Sequence, residues 1–165
     1  MTNKSSTKHI LILISPYYAD VSAELLKGTK QTLAEADATY EVFEVPGALE
    51  IPQALGAAID NGLFDDEPDT YFHGCVALGC VIRGETSHYD IVANQPAAAL
   101  MKTSISESIP LGNGILTVEN HEQAMVRASV DQKNKGRDAA KACLRIIELT
   151  DEFSEIADDE DEQNG

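Results

Sequence analysis

Four short segments of this chain carry residue types whose spacing could do chemistry, and each follows an apolar run. The richest is RGETSHYD, residues 83–90. Gly84 allows a backbone turn that a side chain would obstruct. Glu85, Thr86 and Ser87 precede a helical stretch, and the free N–H groups of such a start can hold an anion. The Thr86 hydroxyl adds a donor, and His88, in the first turn, can move protons near neutral pH. A site for a phosphate beside a histidine fits these residues. So does a plain helix cap made by Thr86 or Ser87, with His88 on the surface. The segment does not match the P-loop pattern.

The other three segments add weaker signals. In VPGALEIP, residues 45–52, Pro46 and Gly47 enforce a tight turn. Glu50 falls in the first turn of the next helix, where the dipole alone favours a carboxylate and where it could also accept from ligand hydroxyls. In SPYYAD, Tyr17 and Tyr18 either pack the loop or offer a ring to a flat heterocycle. In TVENHEQAMVR, Arg127 is either a solvated side chain or a fork donor for a phosphate.

The elements that must position these residues alternate in type. HILILIS (9–15), TYEVFEV (39–45), YFHGCVALGCVI (71–82) and PLGNGILTVEN (110–120) read as strands. The third is apolar enough to be covered on both faces. Residues 20–38, 46–62 after a turn, 88–107, 122–129 and 135–153 read as helices, with Val21, Leu25, Leu26, Thr29 and Leu33 at helical spacing in the first. Pro96 removes a donor inside the third helix, so a kink or a delayed start is expected there. LFDDEPDT (63–70) reads as a charged surface loop. The order β-α-β-α-β-α-β-α-α predicts a three-layer αβα fold, a four-stranded parallel sheet with helices on both faces. Ligands of such sheets sit beyond the carboxyl ends of the strands, which is where the four segments fall.

Composition narrows the functional classes. A hydrophobic share of 43% suffices for a core, and 165 residues suit one domain with a tail. A net charge of −16 argues against nucleic acid and anionic membrane as partners. No run is long enough to span a bilayer, and no secretory cleavage site is expected. Cys75, Cys80 and Cys143 lack metal-ligand spacing and read as buried thiols in a reducing cytoplasm. The expected division is a flexible N-terminus (1–8), one domain (9–150) and an acidic, disordered tail (151–165).

The motifs VPGALEIP, GCVIRGETSHYDIV, GNGILTVEN, EQAMVRA and NKGRDAA together make the chain resemble the 6,7-dimethyl-8-ribityllumazine synthase family from about His9 to Leu149. The resemblance implies a flavodoxin-like fold and a transferase of riboflavin biosynthesis. That enzyme condenses 5-amino-6-(D-ribitylamino)uracil with 3,4-dihydroxy-2-butanone 4-phosphate, releasing phosphate and water without metal or cofactor. By the same resemblance, Tyr17 stacks on the pyrimidine. Ala48, Leu49 and Glu50 line the ribityl side, and Cys80, Val81 and Ile82 hold the pyrimidine edge. Glu85, Thr86 and Arg127 bind the phosphate, and His88 transfers protons. Asn113 takes a position contributed by the neighbouring subunit, often phenylalanine in the family, and Lys135 approaches the ligand.

The resemblance further implies a homo-oligomer built from pentamers, active sites shared between adjacent subunits, and a functional link to riboflavin synthase. Ser129 and Lys133 stand where shell-forming members tend to carry glycines, so a pentamer or decamer is favoured over an icosahedral shell. A non-catalytic flavin- or lumazine-binding protein and a flavodoxin-like electron carrier are the competing readings.

Overall fold

The computed structural model describes residues 7–65 and 69–165. The N-terminus expected to be flexible therefore lies outside the described residues except for Thr7 and Lys8, and the charged loop does so at 66–68. The chain alternates β1 (His9–Ile14), α1 (Ala19–Glu35), β2 (Thr39–Glu44), α2 (Glu50–Asp60), β3 (Gly74–Ile82), α3 (His88–Ser106) and β4 (Leu111–Val118), then ends in α4 (His121–Ala128) and α5 (Lys135–Asn164). The strands form one parallel sheet in the order β2-β1-β3-β4.

Two apolar layers sandwich the sheet, as the period-two pattern of buried strands requires. Ile10, Ile12, Ile14, Val76 and Leu78 pack with Val21 and Leu25 of α1 and Ala139, Cys143 and Ile147 of α5. Leu11, Leu13, Cys75 and Ala77 face the other way, against Ile51 and Leu55 of α2 and Leu100 of α3. β3 is buried at every residue but its last, which explains its unbroken apolar sequence. α5 approaches β4 so closely that a Cβ on Gly112 would collide with the carbonyl of Ala139.

Two segments can be set beside their expectations. Pro96 does not delay α3, which starts at His88 and carries the proline inside on its buried face, with Leu100 one turn on. The helix tolerates it because only one N–H is lost and the pyrrolidine ring is fully buried. The acidic segment, for which charge composition predicts a disordered tail, is a helical continuation of α5 to Asn164, with every residue from 151 exposed. No glycine or proline interrupts residues 137–163. Lys8 Nζ bridges Asp151 at 3.2 Å, and Arg145 reaches Glu148 and Glu152 at 3.1 and 3.0 Å. Such pairs are worth only tenths of a kcal/mol each, about 0.3–0.5. No helix of the described residues is long and apolar enough to cross a membrane.

Candidate active site

In the strand order β2-β1-β3-β4, the connection leaving β1 runs to one side and the connection leaving β3 to the other, and a crevice opens between these two strands at their carboxyl ends. A cleft of about 440 Å³ lies there. Ser15, Tyr17 and Tyr18 come from the β1 exit, residues 46–50 from the turn into α2, Cys80, Val81 and Ile82 from the end of β3, and Gly84, Thr86, His88, Tyr89 and Val92 from the loop and first turns of α3.

Local chemistry fixes each wall. The Ser15 hydroxyl donates to the Pro46 carbonyl at 3.3 Å, tying the β1 exit to the β2 exit, while Ser22 Oγ donates to the Ser15 carbonyl at 3.2 Å. The two tyrosine rings meet edge to face, centroids 5.0 Å apart and planes at 74°. Tyr17 is 74% exposed, so its ring is offered to whatever enters. After Gly47 the chain turns at once into α2, with the Glu50 N–H donating to the Gly47 carbonyl at 3.2 Å, and this sets the Glu50 carboxylate on the rim. Arg83, at the β3 exit, sits 4.4 Å from the Tyr89 ring centre and pairs with Glu119 at 2.9 Å.

The floor is electrically neutral. Burial pushes the Cys80 thiol up to about 11, and the Asp20 carboxylate adds to the shift. Burial first, then Tyr17 and Cys80, raises the Tyr18 phenol. Asp20 is held below the usual carboxylate range, mainly by the Val21 N–H and further by His121. Neither Cys80 nor Tyr18 therefore carries charge at neutral pH, which suits an uncharged ring lying on them. The described residues lining the cleft include no lysine or arginine.

A second hollow, of about 360 Å³, opens beside the edge strand β4. Residues 113–117 of β4, Arg127 of α4, and Lys135, Asp138, Ala139 and Ala142 of α5 line it. Arg127 Nη1 donates to the Gln123 carbonyl at 3.1 Å, which steadies the guanidinium. Lys135 is balanced by Asp138 at 3.3 Å, and Asn113 Oδ1 accepts from the Ile115 N–H at 3.0 Å.

The residues singled out in the sequence thus fall into two groups. Tyr17, Ala48, Leu49, Glu50, Cys80, Val81, Ile82, Thr86 and His88 line the first cleft. Asn113, Arg127 and Lys135 line the second hollow. Glu85 is exposed on the loop between Gly84 and Thr86 and does not line the cleft. The expectation that Arg127 joins Glu85 and Thr86 in one phosphate socket is not met within a single chain. Arg127 follows β4, an edge strand one place beyond β3, whereas the cleft lies on the β1 side of β3. Sequence reasoning missed Ser15, Tyr89 and Val92 as cleft residues. Val92 sits one turn after His88, so helical spacing was the signal available for it. Among the described residues, no group of His, Cys, Asp or Glu is placed to hold a metal ion.

The family model described as 6,7-dimethyl-8-ribityllumazine synthase matches residues 7–151. Among curated proteins, the 6,7-dimethyl-8-ribityllumazine synthase of Agrobacterium fabrum is 53% identical over 87% of this chain and 95% of its own length. The 6,7-dimethyl-8-ribityllumazine synthase 1 of Rhizobium meliloti is 53% identical over 86% of this chain and 90% of its own. The Bartonella henselae synthase is 50% identical over 90% of this chain and 92% of its own.

Proposed function

The chain belongs to the 6,7-dimethyl-8-ribityllumazine synthase family, and from that membership we propose how its two hollows divide the work of one reaction. It is an enzyme that condenses 5-amino-6-(D-ribitylamino)uracil with 3,4-dihydroxy-2-butanone 4-phosphate in riboflavin biosynthesis, releasing phosphate and water.

One observation carries the division. The cleft holds a presented ring, a neutral floor, a rim carboxylate and an imidazole but no lysine or arginine, while Arg127 and Lys135 line the other hollow. A phosphate ester needs a cation in a chain of net charge −16. A symmetric ring that seats the second hollow of one copy on the cleft of the next supplies it. In that arrangement Tyr17 stacks on the pyrimidine. Cys80, Val81 and Ile82 hold its edge through backbone groups, and Ala48, Leu49 and Glu50 take the ribityl chain. Thr86 and the N–H groups opening α3 take the phosphate from one side, the Glu85 carboxylate staying outside the cleft, and Arg127 of the adjacent copy takes it from the other. Asn113 and Lys135 close the site from that copy.

The chemistry then follows. The amine adds to the ketone, and loss of water gives an imine. Phosphate leaves, and ring closure expels a second water. Each step moves a proton, and His88 carries them. The amine is already nucleophilic, so much of the acceleration comes from holding two reactants together.

The assembly we favour is a pentamer or decamer, because Ser129 and Lys133 stand in the link between α4 and α5 where glycines would permit a sharper bend. The free, buried Cys75, Cys80 and Cys143 accord with a reducing cytoplasm. The test is to titrate the purified full chain with both substrates while recording lumazine absorbance and released phosphate. Equal yields of the two support the reaction; ligand binding without phosphate release reduces the chain to a binding protein.

A further inference from the structure

The turn from β4 into α4 is built more tightly than a connection requires. Asn120 caps α4, its Oδ1 accepting from the Gln123 N–H at 2.9 Å, and Gln123 Oε1 accepts from the Glu119 N–H at 2.9 Å. The two bonds form a reciprocal clasp of the capping-box kind. Glu119 and His121 flank the cap, and each reaches a different lip of the cleft. Glu119 Oε2 takes the Arg83 Nε at 2.9 Å, and Arg83 lies against Tyr89, a cleft residue. His121 Nε2 meets Asp20 Oδ2 at 2.7 Å, and Asp20, in the first turn of α1, lies two residues after the Tyr17–Tyr18 pair.

We propose that Glu119 and His121 are positioning residues for catalysis: the rigid turn between them fixes the phosphate lip and the ring lip of the cleft relative to each other. Both pairs are about half exposed and so add little to stability. Their value is geometric. Ser87 makes no side-chain cap bond to α3, so the Arg83–Glu119 pair adds a tie to the loop beyond its backbone bonds. The same turn opens the helix that carries Arg127, so one rigid piece sets the lips of its own cleft and the cation presented to the next copy. Misplacement of either lip loosens the substrate held there.

This inference rests on the two-substrate reading of the cleft. It is tested on the assembled full chain by steady-state kinetics with each substrate varied in turn. Glu119→Ala is expected to raise KM for the butanone phosphate about fivefold, near the upper end of the range for an exposed ion pair, and to leave KM for the uracil within roughly a factor of two. His121→Ala is expected to do the reverse. Arg83→Glu loosens the phosphate lip as Glu119→Ala does, and the exchange Arg83→Glu with Glu119→Arg recovers the wild-type KM. Equal changes in both KM values, or a lower kcat that only tracks a lower unfolding temperature, overturn the proposal. A change in particle size by light scattering overturns it too, by assigning the residues to a subunit contact. Failure of the two-substrate reading shows separately, as a wild-type chain that makes no lumazine.

Discussion

The two hollows at the ends of this sheet are opposites in chemistry. The first offers rings, backbone groups, a carboxylate and an imidazole around a floor of neutral thiol and phenol. The second, on the edge strand, offers an arginine, a lysine paired with Asp138, an amide side chain and small alanines, with no histidine or tyrosine among its described lining residues. Each has what the other lacks for joining a heterocyclic amine to a phosphate ester. A cleft between β1 and β3 is closed on both sides by strands of its own sheet. A hollow on β4 has no neighbouring strand on its outer side, so its outer wall is left open.

The comparison is broken most severely by removing the cation. Arg127→Ala is expected to lower kcat/KM by about a hundredfold or more, as loss of one partner of a buried charge pair does. His88→Ala should cost about a hundredfold in kcat and leave turnover above background, because binding still aligns the reactants. Mixing the two variants before reassembly then decides whether the halves belong to different copies. Recovery of about a quarter of the wild-type rate is expected from random pairing across a shared interface; no recovery would return both halves to one chain.

Smaller effects sharpen the contrast. Gly112→Ala forces α5 away from β4, at a cost of about 1–3 kcal/mol in urea unfolding. It should damage the second hollow, so KM for the phosphate substrate rises more than KM for the uracil. Alkaline pH probes the thiols. Burial raises Cys80 to about 11 and Cys143 to about 12, so the folded chain holds these protons more tightly than the unfolded one. Their contribution to stability is complete below the ordinary thiol range and is lost as pH climbs through those values. Urea midpoints measured against pH should show the fall, and Cys143→Ala should remove its upper part. The smallest effect on rate is expected from deleting residues 152–165, all of them exposed. Turnover should hold while particle size by light scattering increases, if repulsion between acidic tails keeps assemblies apart. An unchanged size would retire that role for the tail.

Much of this was legible before any coordinates. The unbroken apolar run ending at Ile82 marked a central strand, and the crowd of Gly84, Thr86 and His88 after it marked the cleft, because a parallel strand buried on both faces has polar work only at its end. Periodicity marks a helix at 135–153 but not its full length. Charge composition argued for disorder, while continuous helix-forming residues and the Arg145 pairs carried α5 on to Asn164. Glu119 and His121 read only as polar residues after a strand, since their partners, Arg83 and Asp20, lie far away in sequence.

The sequence by itself determined the alternation of strands and helices, the sites of the turns and the residue types at each strand end. These are local matters of periodicity, capping and backbone freedom. Tertiary structure alone decided which strand ends are neighbours. The order β2-β1-β3-β4 gathers the exits of β1, β2 and β3 around one crevice and leaves β4 at the edge with Arg127, Asn113 and Lys135. Strand order depends on how each crossover packs across the sheet, a long-range choice that no window of residues contains.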